Sequence, residues 1–194
     1  MDLIHSDFTF NLDRQFHCLR HFSFDGNDQL RRLEAKFPSY STTQIQQELE
    51  LIGSKFHADF AQEPFEIVDQ FKKASRMQIP IENNKTLIQF AFSKDDFPNG
   101  IGNSALLPLS ELDEAQQARK YKVKRGDFEV WTCEVAKLPT SNKLSIIAFE
   151  NQGNFDIITL FPGEYAPAFP RGTSELDEQN RMFWEGHCLL RINS

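Results

Sequence analysis

The sequence predicts an α+β fold in which N-terminal helices precede a mainly antiparallel twisted β-sheet and a C-terminal helix. Two observations carry this prediction. Apolar residues recur every three or four positions from residue 45 to residue 60, whereas from residue 86 to residue 93 they alternate; the first period is that of a helix and the second that of a strand. We therefore expect a single domain, 1–194, with a mostly helical part, 1–80, and a sheet-forming part, 81–194.

Two consecutive helices are predicted between residues 41 and 77. Ser41 and Gln44 have the spacing of a capping box. Pro64 suits the first turn of the second helix, which we expect to end near Met77. The apolar face of the first helix is formed by Ile45, Leu49, Ile52, Phe56 and Phe60. Shorter helices are expected at residues 30–36, ended by Pro38, and at residues 110–119.

The clearest strand signal is a β-hairpin in which segments 144–149 and 155–161 flank an Asn/Gly turn. The Pro-rich segment that follows cannot continue the interior of a sheet. Thr159 is therefore expected at the end of a mostly apolar strand, on the face of Phe155, Ile157 and Phe161, beside a loop of the kind that often carries a site. Further strands are predicted at residues 8–10, 22–24, 86–93, 127–137 and 188–192, with a turn at residues 25–28 and a last helix capped by Ser174 and Asp177.

The composition is that of a globular protein, with 40% hydrophobic and 25% charged residues. The 19 Phe residues are expected mostly in the core, because Phe has no hydrogen-bonding group. A formal net charge of −7 argues against a broad basic surface for nucleic acid but leaves room for a compact basic cleft. The chain has no apolar run long enough to cross a membrane and no secretory signal at its start. We therefore expect a cytoplasmic protein without a membrane partner, or one that is delivered by something other than a cleaved signal.

No cofactor and no metal are expected. The sequence contains neither of two glycine-rich phosphate-binding motifs, G-x-G-x-x-G and G-x-x-x-x-G-K-[ST]. Cys18, Cys133 and Cys188 are too widely spaced for a zinc knuckle or a disulfide framework, and we expect buried, reduced thiols. His17 and His21 are four residues apart, which is half of a metal site, but no acidic or Cys ligand follows at a matching distance.

A dense basic run, residues 119–125, contains five cations in seven residues. If this segment is extended, Lys120, Lys122 and Lys124 share one face and could form a phosphate-binding rim. A solvated connection between two elements is the alternative. His187 follows Gly186 at the predicted end of the last helix, where it is either a general acid or a packed junction residue.

Four segments in the C-terminal part of the chain form a recognisable set: Leu138 to Asn142, Ile158 to Gly163, Ala166 to Pro170 and Phe183 to Leu189. Together, over about a quarter of the chain, they resemble the C-terminal end of bacterial ribonuclease toxins of the barnase, EndoU, colicin and RelE type. The resemblance implies a small twisted antiparallel sheet beside N-terminal helices and a metal-independent RNA-cleaving activity on its concave face. The sequence departs from the EndoU pattern, because no pair of histidines is laid out with a lysine as in those enzymes.

Two functions follow as hypotheses. In the first, the chain is a toxin-like ribonuclease that cleaves RNA by attack of the 2′-hydroxyl and is controlled by a cognate inhibitor; this chemistry needs an acid, a base and cations or donors. In the second, it is a non-catalytic binding module, such as an immunity or antitoxin-like protein, whose acidic surface meets a basic toxin. The side chains of the right type for the catalytic roles are Thr159, Tyr165, Arg171 and His187, with Lys120, Lys122 and Lys124 for substrate binding.

Overall fold

The computed structural model describes residues 8–51, 53–67, 75–81, 84–152 and 154–192, and these residues form an α+β fold, as predicted. The helices are α1 (Leu12–Cys18), α2 (Gly26–Lys36), α3 (Thr42–Glu50), α4 (Glu114–Arg119) and α5 (Glu175–Glu185). The strands are β1 (Phe8–Thr9), β2 (Ser75–Ile81), β3 (Lys85–Ala91), β4 (Gly102–Asn103), β5 (Leu106–Pro108), β6 (Tyr121–Arg125), β7 (Phe128–Val135), β8 (Thr140–Ser141), β9 (Lys143–Asn151), β10 (Asn154–Pro162) and β11 (His187–Ile192).

The chain divides into two compact units, each built from two separate stretches of sequence. Unit 1 comprises Met1–Asn103 and Thr140–Gly163, and unit 2 comprises Ser104–Pro139 and Glu164–Ser194. The predicted boundary at residue 80 falls inside β2, so it does not separate helices from sheet. The expectation of a single domain stays a prediction.

Unit 1 contains a five-stranded sheet of order β1-β10-β9-β3-β2. Its pairings are antiparallel except for the parallel pair of β1 and β10. The predicted hairpin is confirmed as β9 and β10, with Phe155 opposite Glu150. The predicted strand at residues 8–10 is confirmed as β1, whereas residues 22–24 contribute only an isolated bridge from Phe22 to Phe56. A separate two-stranded sheet joins β4 and β8.

A β-bulge in β10 corrects the predicted face of Thr159. Ile157 pairs with Ala148, but Thr159 pairs with Ile147, so one extra residue is inserted between them. Because side chains alternate along a strand, the inserted residue reverses which side chains face the core. Thr159 and Phe161 therefore share a face with each other, and lie opposite to Phe155 and Ile157.

The helices of unit 1 differ from the prediction mainly at their ends. The capping box of Ser41 and Gln44 is confirmed, yet α3 ends at Glu50 instead of continuing to Phe60. Gly53 and Ser54 have low helix propensities, which disfavours continuation of the helix. Phe56 lies in an extended segment with bridges to Phe22 and Gly102. Helix α1 was not predicted. Helix α2 begins at Gly26, where a turn was expected, and ends before Pro38 as predicted.

The predicted second helix, from Pro64 to Met77, is wrong in its C-terminal part. Residues 64–67 form a 3-10 turn, and residues 75–77 already belong to β2. The strand pairs along its whole length with β3, so backbone hydrogen bonding across the sheet overrides the local helical preference. Residues 68–74, and Ile52 of the preceding segment, lie outside the described residues.

The phenylalanines fill the core of unit 1, as their number predicts. Helices and sheet contribute to one cluster in which most rings are almost fully enclosed. Many neighbouring rings meet edge to face or tilted, as Phe92 and Phe97 do with centroids 5.4 Å apart, whereas Phe56 and Phe60 are stacked. Such contacts add to the free energy of burial. The buried phenylalanines of this cluster are Phe16, Phe22, Phe37, Phe56, Phe60, Phe90, Phe92 and Phe155.

Unit 2 contains a four-stranded sheet of order β5-β11-β7-β6. Its central pair, β11 and β7, is parallel, and the other two pairings are antiparallel. The predicted strands at residues 127–137 and 188–192 are confirmed, as is the capping box of Ser174 and Asp177 that starts α5. The helix predicted at residues 110–119 is α4, which begins only after Asp113. Ser110, its predicted start, belongs to the 3-10 turn Leu109–Glu111. The three cysteines are buried and reduced, as expected.

The ammonium group of Lys55 joins three parts of unit 1. Its Nζ donates to the carbonyls of Arg20 at 2.9 Å, Phe22 at 3.2 Å and Leu49 at 2.6 Å. These carbonyls come from the 3-10 turn Leu19–His21, the residue that follows it and the last turn of α3. On its other side the same segment meets Gly102 so closely that an added Cβ would lie 2.5 Å from the Lys55 carbonyl oxygen. Partial burial lowers the pKa of Lys55.

Substituting Lys55 with Met is expected to lower the free energy of unfolding by about 2–4 kcal/mol, because three carbonyls lose a charged donor. Urea denaturation measures the change. Lys94→Met is the matched control, since Lys94 is exposed and should change the free energy by less than about 0.5 kcal/mol. Equal effects of the two substitutions would show that the Lys55 bonds do not stabilise the fold.

His21 makes the stability of the protein depend on pH. Its Nδ1 lies 2.9 Å from the Ser54 carbonyl and its ring centroid 5.7 Å from that of Phe161. Burial lowers the pKa of His21 from 6.5 to about 4, against an opposing effect of the Ser54 hydrogen bond. Between these two pH values the unfolded chain binds a proton at residue 21 that the folded chain does not. The free energy of unfolding therefore decreases as the pH falls.

We expect this group to contribute up to about 3 kcal/mol of acid destabilisation between pH 6.5 and pH 4, and nothing further below pH 4. His21→Gln cannot bind the proton and should show a flatter dependence over the same range. The measurement is urea denaturation of both proteins at pH 7 and at pH 4.5. If the free energy of unfolding changes equally in the two proteins between pH 7 and pH 4.5, His21 is not the group responsible for the acid destabilisation.

Candidate active site

A surface pocket of about 380 Å³ lies between α1 and α3 in unit 1. Its apolar part is an aromatic pair, and its polar part consists of an imidazole, a carboxylate and two amides. The residues of α3 that line it recur at three- and four-residue steps, so they form one stripe along the helix. The lining residues are Phe16, His17, Tyr40, Gln44, Gln47, Glu48 and Leu51.

Three groups with acid, base or charge-stabilising chemistry meet at Glu48. His17 Nδ1 lies 3.5 Å from one carboxylate oxygen of Glu48, and Arg20 Nη2 lies 3.1 Å from the other. Arg20 is also anchored to α1 by a bond of 2.8 Å from its Nε to the His17 carbonyl. The Glu48 side chain is 16% exposed and that of His17 is 60% exposed. The carboxylate is therefore held in the pocket wall, while the imidazole is open to a ligand.

Tyr40 forms the aromatic wall of the pocket. Its ring stacks on that of Phe16 with a centroid distance of 3.5 Å and an interplanar angle of 7°. Its hydroxyl donates to Asp13 at 3.1 Å. Desolvation, together with the hydrogen bond to Asp13 and the negative charge of that carboxylate, raises the pKa of Tyr40. The phenol is therefore a hydrogen-bond donor at neutral pH.

Thr159, the first of the predicted catalytic residues, belongs to unit 1. Its hydroxyl lies 3.6 Å from the Cys18 thiol, which donates to it. Burial raises the pKa of Cys18, and the Thr159 bond only partly opposes this. Thr159 thus contacts a neutral thiol, and the catalytic role expected of it stays a prediction.

The other predicted catalytic residues, Tyr165, Arg171 and His187, belong to unit 2. His187 Nδ1 lies 2.6 Å from the Phe183 carbonyl, and its ring stacks on that of Phe183 at 3.9 Å. The exposed Arg171 is fixed at the opposite end of α5 by a bond from its backbone N–H to Asp177. An 11-residue helix is about 16 Å long, so α5 holds these two residues apart.

The lysine row predicted to bind substrate is extended, as that prediction requires. Lys122 and Lys124 lie in β6 and are exposed, with Lys120 just before the strand. The register places Lys122 opposite Trp131 of β7. Because Trp131 and Cys188 are paired, His187 projects to the other face of this sheet. The lysines and His187 are therefore not brought together.

Sequence reasoning missed the groups around Glu48. His17 was considered only as a metal ligand, and Arg20, Tyr40 and Glu48 were not singled out. They come from four segments: α1, the 3-10 turn after it, the loop before α3, and α3 itself. The apolar pattern of α1 is too short to be recognised. No local spacing connects residue 17 with residue 48, so the pairing follows only from the packing of α1 on α3.

Comparison with known proteins gives no match: no protein-family model, no curated protein and no solved structure matches this chain. Within the part of the chain that the structure describes, no three His, Cys, Asp or Glu side chains are grouped as metal ligands. In the same part, none of the helices combines the length and the apolar character needed to cross a bilayer.

Proposed function

We propose that the chain is a metal-independent ribonuclease whose catalytic groups are Glu48, His17 and Arg20. The observation that supports this proposal is the meeting of a carboxylate, an imidazole and a guanidinium within 3.5 Å beside an open pocket. Cleavage of RNA by its own 2′-hydroxyl needs a base, an acid and a positive charge, and it needs nothing else from the protein.

Glu48 is the general base in this proposal. Its carboxylate takes the proton of the 2′-hydroxyl, and the oxygen attacks the adjacent phosphorus. The protonated imidazole of His17 donates a proton to the departing 5′-oxygen, so that the products are a 2′,3′-cyclic phosphate and a 5′-hydroxyl. The Arg20 guanidinium stabilises the negative charge that develops on the phosphorane.

The aromatic pair explains how such a pocket would hold single-stranded substrate. Sequence-tolerant binding of unpaired bases relies on aromatic rings, with amides available for the base edges. Tyr40 supplies the ring, supported from behind by the buried Phe16 on which it stacks, and Gln44 and Gln47 supply the amides. Base-paired RNA keeps its bases stacked, so we expect single-stranded regions to be cleaved.

A second function, a non-catalytic module that binds a basic protein, is favoured by the net charge of −7. In that case the Glu48 carboxylate and the Tyr40 ring would receive a basic side chain of the partner, a contact that combines charge with cation–π attraction. A cognate inhibitor or toxin is the expected partner. Binding without any RNA cleavage would support this function in place of the first.

Glu48→Gln and His17→Asn are each expected to reduce RNA cleavage by about 10²- to 10⁴-fold, because each removes one proton-transfer group. The measurement is the rate of cleavage of a mixed RNA pool in the presence of EDTA. Glu50→Gln is the matched control, since Glu50 is an exposed carboxylate two residues after Glu48 on the same helix and does not line the pocket. Thermal melting checks that the variants are folded.

The sequence-predicted residues are tested in the same assay. If the pocket is the active site, His187→Asn and Arg171→Ala should cleave at the wild-type rate. If these two variants lose activity while Glu48→Gln retains it, the reaction takes place at the residues predicted from sequence. A 2′-deoxy substrate should remain intact, and a wild-type protein that leaves all RNA intact would contradict the ribonuclease function.

A further inference from the structure

A cationic strand edge in unit 2 differs in charge from the rest of the molecule. Unit 2 has nine Lys and Arg residues against eleven Asp and Glu, a net charge of −2, and unit 1 has twelve against seventeen, a net charge of −5. Five of the nine cations of unit 2 lie in residues 119–125. The positive charge is thus concentrated on β6, the outer strand of its sheet.

An aromatic ring lies among these cations. The ammonium of Lys120 is 5.2 Å from the centroid of Trp131, and that of Lys122 is 5.1 Å from it. Trp131 is partly exposed and packs on its inner side against the cluster around Cys133 and Cys188. The other tryptophan, Trp184, is only 2% exposed. Trp131 is therefore a ring held in place by the core of unit 2, with two ammonium groups over it.

Lys122 and Lys124 retain capacity for an anion, whereas the ammonium of Lys120 already donates to the backbone and side-chain oxygens of Gln117. Lys122 pairs with Glu129 at 3.8 Å, and both side chains are 48% exposed, so this ion pair contributes little and can be exchanged. Lys124 makes no ion pair within the described part of the chain. Lysines on an outer strand also oppose aggregation, but that purpose does not require a partly exposed tryptophan between them.

We infer that this edge, formed by Lys120, Lys122, Lys124 and Trp131, is a binding subsite for single-stranded RNA. A base displaces the ammonium groups of Lys120 and Lys122 from over the Trp131 ring and stacks on it, and the displaced ammonium groups contact the phosphates on either side of the base. The two lysines of β6 repeat at about 6.7 Å along the strand, which lets them follow an extended backbone. The inference rests on the proposed function for its ligand, and assigns to unit 2 the binding of substrate outside the catalytic pocket.

Binding can be measured without cleavage. A fluorescently labelled single-stranded DNA of about 12 nucleotides has no 2′-hydroxyl and is stable to the wild-type protein, and the matching RNA is used with Glu48→Gln. Both probes should bind, because bases and phosphates are common to them. Fluorescence anisotropy gives the affinity, and quenching of tryptophan emission reports contact with Trp131, since Trp184 is enclosed.

Replacing Lys122 and Lys124 together by Ala should weaken binding about tenfold at low salt and reduce the salt dependence by the equivalent of about two phosphate contacts. Trp131→Leu should also weaken binding about tenfold, with little change in salt dependence. Lys137→Ala is the matched control, because Lys137 is an exposed lysine of the same unit. It should bind as the wild type does.

Three results would overturn the inference: unchanged affinity in both variants, equal affinity for a duplex of the same sequence, or equal quenching by polyglutamate. The last result would identify an acidic protein as the partner. RNA cleavage by wild-type protein together with unchanged affinity in the variants would refute the subsite alone. Binding that depends on Trp131, with no cleavage of RNA, would refute the ribonuclease and leave the subsite in place.

Discussion

The ammonium group of Lys55 is the contact on which the candidate active site depends. It binds the carbonyls of Arg20 and Leu49, and thereby fixes the distance between the 3-10 turn after α1 and the last turn of α3. Arg20 and Glu48, whose side chains form the ion pair in the pocket, occupy these same two turns. A partly buried charge is costly unless it is fully bonded, and here the three carbonyl bonds offset that cost. The stability of unit 1 and the geometry of its proposed chemistry therefore have a common origin.

The sequence predicted those parts of the fold in which local signals and tertiary packing agree. The capping boxes of α3 and α5 and the β9–β10 hairpin are specified within a few residues, and all were found. The prediction that α3 continues to Phe60 is wrong, because the same apolar spacing is equally compatible with the extended segment that pairs with Phe22 and Gly102. The bulge in β10 was missed, although the adjacent Ile157 and Ile158 break the alternation of apolar and polar residues at the point where the extra residue is inserted.

The candidate site was largely hidden in the sequence for a related reason. Its groups are ordinary side chains of helices and loops that are distant in sequence and are brought together by packing alone, whereas the lysine row is contiguous and could be recognised directly. The two features also suit different tasks. In the proposed function, unit 1, with its net charge of −5, would carry the catalytic groups, and the basic strand of unit 2 would supply the long-range attraction for an anionic ligand that an acidic protein otherwise lacks.

The strand order of unit 2 bears on how the protein is assembled. Strand β11 follows every other strand in the sequence, yet it lies inside the sheet, between β5 and β7. Until it is synthesised, β5 and the β6–β7 hairpin have no partner to join them, while the stretches that form unit 1 are already complete at Gly163. Pairing between distant segments is slow because a long loop must first be closed. We expect unit 1 to fold early. The assembly of the unit 2 sheet should be the late, rate-limiting step of folding.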